Sequence, residues 1–225
     1  MIVVVGGTGI LGKSLNSIDH RLIPLNSDYD IFAFDKLKNK LDELNPSIII
    51  NCAAVKSEKV QENPINSINV NIIGSCNLSK YCIEKNIRLV YISTDYVYSG
   101  TKGDYCEDDE VLPTNVYAWT KLGGESCVKL VTNHLIIRTS FGESKFPYKK
   151  AFDNLITSKD YVDVIAPMIL KASTSNVVGT INIGTSPKTI YEYARKRNKV
   201  EKETLDSPKN YSLNITRYEK LLESN

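Results

Sequence analysis

Val5-Gly6-Gly7-Thr8-Gly9-Ile10-Leu11-Gly12 is the stretch that decides how this chain reads. It follows an apolar run, Met1–Val5, and leads into Leu11–Ser17, whose spacing suits a helix. Gly6, Gly9 and Gly12 fall three residues apart. In such a set one glycine permits a tight turn and another lets backbone N–H groups approach a pyrophosphate. The third lets the helix pack on the strand. The helix N-terminus then turns its positive dipole end toward the anion. A bare strand-to-helix turn also uses glycine, so the strand before and the helix after are what give the triplet meaning.

Working outward, Ile48–Cys52, Leu89–Ser93 and Leu135–Arg138 repeat the character of the first run. They are short, apolar and rich in β-branched residues, as strands buried on both faces are. Phe34–Leu44, Asn66–Lys85 and Tyr117–Val131 have helical length and spacing. The alternation predicts βαβ units and an α/β fold, a Rossmann-like doubly wound parallel sheet. Leu22–Leu25 reads as the second strand. After Arg138 the pattern loosens through a Gly/Ser/Lys/Pro-rich stretch to Lys150. A short strand at Thr180–Ile183, a helix at Thr189–Lys199 and a charged, loosely packed tail from Glu201 are expected. The expected organisation is a dinucleotide-binding domain with a catalytic helix over residues 1–142. A small, reduced C-terminal substrate lobe over residues 143–225 would pack on the same core.

The chain has 225 residues, with 28 Lys and Arg against 26 Asp and Glu. A net charge of +2 argues against a nucleic-acid binder that works by phosphate neutralisation. Five cysteines (Cys52, Cys76, Cys82, Cys106, Cys127) form no Cys-x-x-Cys pair, and His20 and His134 are the only imidazoles. No metal site is expected. Reduced, mostly buried thiols in a cytoplasmic protein are the expectation. Ile2–Val5, ended by Gly6, is too short for a signal-peptide core or a membrane helix.

Tyr117 and Lys121 stand at i and i+4, on one face of a helix. A phenol with an ordinary pKa near 10 is a poor proton donor or acceptor at neutral pH, and a nearby ammonium stabilises its phenolate. Spacing alone would suit a solvated Tyr/Lys face. Thr94 changes the weighting, because it ends the strand Leu89–Ser93, where doubly wound sheets place their ligand crevice. An acid at the end of the second strand would bind the adenosine ribose of NAD. Asn26 and Ser27 occupy that position, with Asp28 two residues on, so the pattern leans toward NADP(H).

The glycine loop, Asn51-Cys52-Ala53-Ala54, Ser93-Thr94-Asp95-Tyr96-Val97-Tyr98 and Tyr117-x-x-x-Lys121 occur in the order of the extended short-chain dehydrogenase/reductases. Within that superfamily the chain is most similar to the dTDP-4-dehydrorhamnose reductase family. Glu62-Asn63-Pro64 ahead of Asn71-x-x-Gly74, Pro113-x-x-x-Tyr117 and Arg138-Thr139-Ser140 add to the resemblance, which is strong to Gly142 and partial beyond. It implies a catalytic set of Thr94, Tyr117 and Lys121, supported by Asn71 through a proton relay. Asn71 could equally be a helix-interior Asn bonding a neighbouring carbonyl. The implied cofactor contacts are Gly6, Thr8, Gly9, Ile10, Leu11 and Gly12 in the loop, and Asp30 and Ile31 toward the adenine, although Asp30 could equally be a turn or capping residue. Cys52, Ala53 and Ala54 would lie along the cofactor, and Tyr117 and Lys121 at its nicotinamide ribose. Lys121 would also lower the Tyr117 pKa.

The implied reaction is reduction of a 4-keto-6-deoxy sugar nucleotide by NADPH, with NADH possible. Hydride would go to C4 while Tyr117 supplies the proton. A 4,6-dehydratase needs an Asp-Glu pair after the threonine, but Asp95 is followed by Tyr96. A 3,5-epimerase/4-reductase needs a cysteine where Asp95 stands. A C4 epimerase that retains NAD and a non-catalytic nucleotide-binding regulatory subunit are the alternatives. A homodimer through the Tyr/Lys helix is implied, with Trp119 at the interface or on the core. Arg138 would reach a substrate phosphate or pair with an acid. Lys36, Lys38 and Lys40 read as a solvated helix face, and Lys56, just after Asn51–Ala54, as a surface lysine or one facing substrate.

Overall fold

The computed structural model describes residues 1–55 and 57–223, so Lys56 lies outside the described residues. Strand β1 is Ile2–Val5 and is followed by helix α1, Ile10–Ile18. Next come β2 (Ile23–Leu25), α2 (Asp35–Leu44) and β3 (Ile48–Asn51). Helix α3 (Gly74–Lys85), β4 (Arg88–Thr94), α4 (Val116–Val128) and β5 (His134–Thr139) continue the alternation. The last third supplies α5 (Val162–Ser173), β6 (Gly179–Ile183), α6 (Ile190–Arg195) and α7 (Thr216–Glu223). Six parallel strands lie in the order β6-β5-β4-β3-β1-β2. The order reverses between β1 and β3, and in open α/β sheets the crevice outside such a reversal takes the ligand.

Both faces of the sheet are covered, which explains why its strands read as unbroken apolar runs. Val3 and Val5 join Leu37, Leu41, Leu78 and Tyr81 on one side. Val4 joins Leu11, Leu15, Ile165 and Ile169 on the other. Neighbouring residues of one strand thus serve two cores. Among the described residues no helix is long and apolar enough to cross a membrane.

Three expectations need correction. The single helix expected over Asn66–Lys85 is broken. A helical turn, Pro64–Ser67, runs into a π-helical segment, Ile68–Ile73, before α3 begins. The Asn63 side chain caps the first turn by accepting from Asn66 N at 3.0 Å. A π-turn leaves side-chain types unchanged, so the pattern of residues does not reveal it, and such turns concentrate at functional sites.

The tail from Glu201 is not loose. Glu201–Glu203 pairs with Lys150–Phe152, and Lys209–Tyr211 pairs with Leu155–Thr157. Tyr211, Leu213, Tyr218 and Leu221 are buried beneath the tail's charged residues.

Finally, Cys76 and Cys127 are joined as a disulfide, with Cα atoms 5.3 Å apart, while Cys52, Cys82 and Cys106 are free. The expectation of reduced thiols throughout therefore fails for this pair, and Cys106 is exposed. The two partners stand 51 residues apart, and α3 and α4 pack side by side, which brings them together.

Candidate active site

The turn after β1 is built as its glycines require. Gly6 has φ +77°, in the left-handed region that a side chain disfavours, and a Cβ there would stand 2.6 Å from Ala53 N. The loops leaving β1 and β3 thus touch at the topological switch point. Asn51 Oδ1 accepts from Ala53 N at 3.1 Å and shapes the second loop. A Cβ on Gly12 would stand 2.5 Å from Gly7 Cα, so α1 packs directly on the turn. Gly9 is the N-cap of α1 and no side chain caps the helix. The first-turn N–H groups therefore face outward as an anion site. These residues fit a dinucleotide.

A cavity of about 580 Å³ opens beside Gly7 and Thr8, bounded by Asn26, Tyr29, Lys13 and Lys40. Strand β2 ends at Leu25, which places Asn26 at its exit, and Asp28 is tied to Asn26 Nδ2 at 3.0 Å. The position where an acid would meet a ribose is neutral, and two lysines border the space beside it. Lys40 also pairs with Glu43 at 2.8 Å. Asp30 accepts from Phe32 N at 2.7 Å as a local turn cap, and Ile31 is buried against Gly74.

Thr94 ends β4. Its Oγ1 donates to Asp95 Oδ1 and accepts from Tyr96 N, both at 3.2 Å. Asn115, two residues before Tyr117, caps α4 by accepting from Ala118 N at 2.8 Å. Lys121 is 2% exposed, and burial pulls its ammonium down to about 7, with Glu125 opposing. Its Nζ stands 4.0 Å from the centre of the Tyr91 ring. Desolvation, with the charge of Asp95 second, pushes the Tyr117 phenol up to about 12. The lowering expected from Lys121 is not found: burial and an acid neighbour raise the phenol instead. Asp95, 1% exposed, is itself pushed up to about 6 by burial.

Asn71 lies fully buried in the π-helical segment. Its Oδ1 accepts from Val55 N at 2.8 Å, and its Nδ2 donates to Thr120 Oγ1 at 2.8 Å and to Val55 O at 3.3 Å. Thr120 in turn donates to Tyr117 O at 2.7 Å. Asn71 thus ties the loop after β3 to the helix that carries Tyr117 and Lys121.

Arg138 lies opposite Ser93 across the β4–β5 pair. Its Nη2 and Nε reach Glu125 at 2.8 and 3.1 Å, and Ser93 Oγ donates to the same carboxylate at 2.5 Å. Of the two roles expected for Arg138, the structure shows the acid partner. Trp119 is 55% exposed, so it lies off the core.

The sequence reading singles out Thr94, Tyr117, Lys121 and Asn71, and in the structure Tyr117 lies near Asp95, Lys121 near Cys52, and Asn71 against Val55 in the loop after β3. It missed Asp95 as a buried neighbour of Tyr117, although its place directly after Thr94 was a signal. It also missed Lys13 and Lys40 beside the cavity and Glu125 beneath Lys121. The missing acid at Asn26 could have prompted a search for cations. Nothing in the sequence singles out Glu125.

Residues 1–174 match the family model described as the RmlD substrate binding domain. The dTDP-4-dehydrorhamnose reductase of Aggregatibacter actinomycetemcomitans is 31% identical over 204 residues, covering 84% of this chain and 68% of that protein. The methionine adenosyltransferase 2 subunit beta of Pongo abelii is 32% identical over 144 residues, covering 56% of this chain and 42% of that protein. The crystal structure of dTDP-4-dehydrorhamnose reductase from Bacillus anthracis in complex with NADP has the same fold. Its TM-score is 0.85 at 24% identity, over 99% of this chain and 96% of that one. The glycine loop, the Thr94 strand end and the Tyr117/Lys121 helix all lie within the matched region. The chain belongs to the RmlD family, the dTDP-4-dehydrorhamnose reductase branch of the extended short-chain dehydrogenase/reductases, which are NAD(P)-dependent oxidoreductases.

Proposed function

We propose that the chain reduces a 4-keto-6-deoxy sugar nucleotide with NADPH. The observation that supports this reading most is that the charge of Asp95, next to Thr94, acts on Tyr117, while Lys121 lies near Cys52 on the loop that touches the glycine turn at Gly6. Gly6, Thr8, Gly9, Ile10, Leu11 and Gly12 would hold the pyrophosphate side of the cofactor, with Asp30 and Ile31 toward the adenine. Cys52, Ala53 and Ala54 would lie along its length. Bound there, NADPH supplies the hydride for the C4 carbonyl carbon.

Thr94 Oγ1 holds the carbonyl oxygen and Tyr117 gives it the phenolic proton. A phenol pushed up to about 12 is fully protonated at neutral pH, the state a proton donor for reduction requires. As charge moves onto the phenolate, the Lys121 ammonium stabilises it. Asn71 acts by fixing the helix that carries both residues. The lobe over residues 143–225 would take the sugar nucleotide.

The test is NADPH consumption with dTDP-4-keto-6-deoxy-L-mannose. Tyr117→Phe should abolish turnover while leaving cofactor binding intact. No turnover by the wild-type chain on any 4-keto sugar nucleotide, with tight cofactor binding retained, would overturn the reductase reading. It would favour the regulatory subunit, the reading supported by the similarity to methionine adenosyltransferase 2 subunit beta.

The reading also includes a cytoplasmic location and a homodimer formed through α4, where Val116 and Trp119 are exposed. Sedimentation of the wild type against Trp119→Glu tests the dimer. A wild-type chain that sediments as a monomer removes it.

A further inference from the structure

Lys121 is held away from water, and its ammonium form persists only where the surroundings compensate the charge. Three elements face it. Glu125 lies one turn further along α4, Cys52 just past β3, and Tyr91 in the middle of β4. The Cys52 thiol is pushed up to about 12 by burial and so brings no charge at neutral pH. Glu125 shares its carboxylate with Arg138 and Ser93. Tyr91 is the group in direct register with the ammonium. The centre of its ring stands 4.0 Å from Nζ, well inside the roughly 6 Å reach of a cation over an aromatic face.

Tyr91 is fixed in that place. It is fully buried, and its hydroxyl donates to Lys121 O at 3.3 Å. Gly124, with no Cβ, leaves room for that hydroxyl, because a Cβ at residue 124 would collide with it. One aromatic side chain therefore touches both the backbone and the charged end of Lys121. Neither contact involves a reacting atom.

We propose, resting on the reading given above, that Tyr91 is a positioning residue whose ring face holds Lys121 as an ammonium beside Tyr117. The phenol hydroxyl is secondary to this role, and the negative face of the ring is primary. Phenylalanine at this position preserves the function, whereas an aliphatic residue of similar bulk, or a ring stripped of its electron density, loses it.

The experiment follows the Lys121 Nζ titration by NMR in the full-length chain labelled at lysine, with the resonance assigned through Lys121→Arg. Wild type is compared with Tyr91→Phe, with Tyr91→Leu, and with 3,4,5-trifluorophenylalanine placed at position 91. Tyr91→Phe should keep the wild-type midpoint. Tyr91→Leu should raise the acid dissociation constant of Lys121 about tenfold, and the fluorinated ring should move it the same way. Equal midpoints for the phenylalanine, leucine and fluorinated forms overturn the proposal. If the leucine variant does not fold, the two rings of nearly the same shape decide the matter by themselves. Turnover is assayed separately. A wild type inactive on every 4-keto sugar nucleotide removes the reductase reading, while the order of midpoints still decides the role of Tyr91.

Discussion

Replacing Arg138 by methionine should cost the protein a large share of its stability, because the substitution strands a carboxylate in the core. The side chains of Arg138 and Glu125 are 2% and 1% exposed, and their closest contact is 2.8 Å. Arg138 also donates to Tyr98 Oη at 2.9 Å and to Glu107 O at 3.1 Å. Removing one partner of a buried pair typically costs about 3–5 kcal/mol, since the other charge stays desolvated. Here Glu125 would keep the partly protonated Lys121 nearby. In a chain of this size each kcal/mol lowers Tm by about 2–4 °C, so the melt should fall by roughly 6–20 °C. Replacing both residues by methionine removes the stranded charge, and the double variant should recover to within about 2 kcal/mol of wild type. Calorimetry at pH 7, with urea melts to compare midpoints at constant slope, gives both numbers. A melt lowered by less than about 3 °C in Arg138→Met, or a double variant no better than the single one, refutes the reasoning. A rise in KM with unchanged stability would point instead to Arg138 as a phosphate ligand.

Asn26→Asp should shift binding from NADPH toward NADH, and Lys13→Ala with Lys40→Ala should weaken NADPH binding about tenfold or more, with NADH little affected. Fluorescence titration with each cofactor checks this, and equal losses for both cofactors would contradict it. Asp95 should be a pH-dependent liability. Its folded pKa is raised from 3.8 to about 6, so the native state keeps a proton that the unfolded chain releases, and stability is lost as pH rises through that window. Asp95→Asn should therefore gain more stability over wild type at pH 7.5 than at pH 4.5 in urea melts, and a gap of the same size at both pH values would contradict this. Thiol titration of the chain unfolded without reductant should count three of the five cysteines, with Cys76 and Cys127 silent. A count of five would remove the bridge.

Legibility in the sequence follows the range of the interaction concerned. Strands β1, β3, β4 and β5 are readable because burial on both faces demands an unbroken apolar run, which local sequence records. The glycine loop is readable because one turn imposes its backbone and packing demands within eight residues. Tyr117 and Lys121 are readable as a pair because one helical turn links them. What escaped depends on partners chosen by distant topology. Glu125 meets Arg138 because α4 packs across β4 and β5. Cys76 meets Cys127 because two helices pack on the same face. The paired strands of the tail are three residues long and hold their partners through backbone bonds, so Glu and Lys occupy them freely. The π-helical segment at Ile68–Ile73 swaps one hydrogen-bonding register for another without changing the residues required.

The outer strand of the main sheet has a consequence for how the chain is made. β6 pairs with β5, yet Ile183 comes 44 residues after Thr139, its partner in register. On the ribosome the edge of β5 therefore emerges without its neighbour and waits for the intervening segment. At about 5–20 residues per second that interval lasts roughly 2 to 9 s. For that time an apolar parallel strand presents unpaired backbone groups, the kind of edge on which other chains add. Synthesis rate across residues 140–183, and chaperone occupancy while they emerge, should thus bear on the yield of soluble protein.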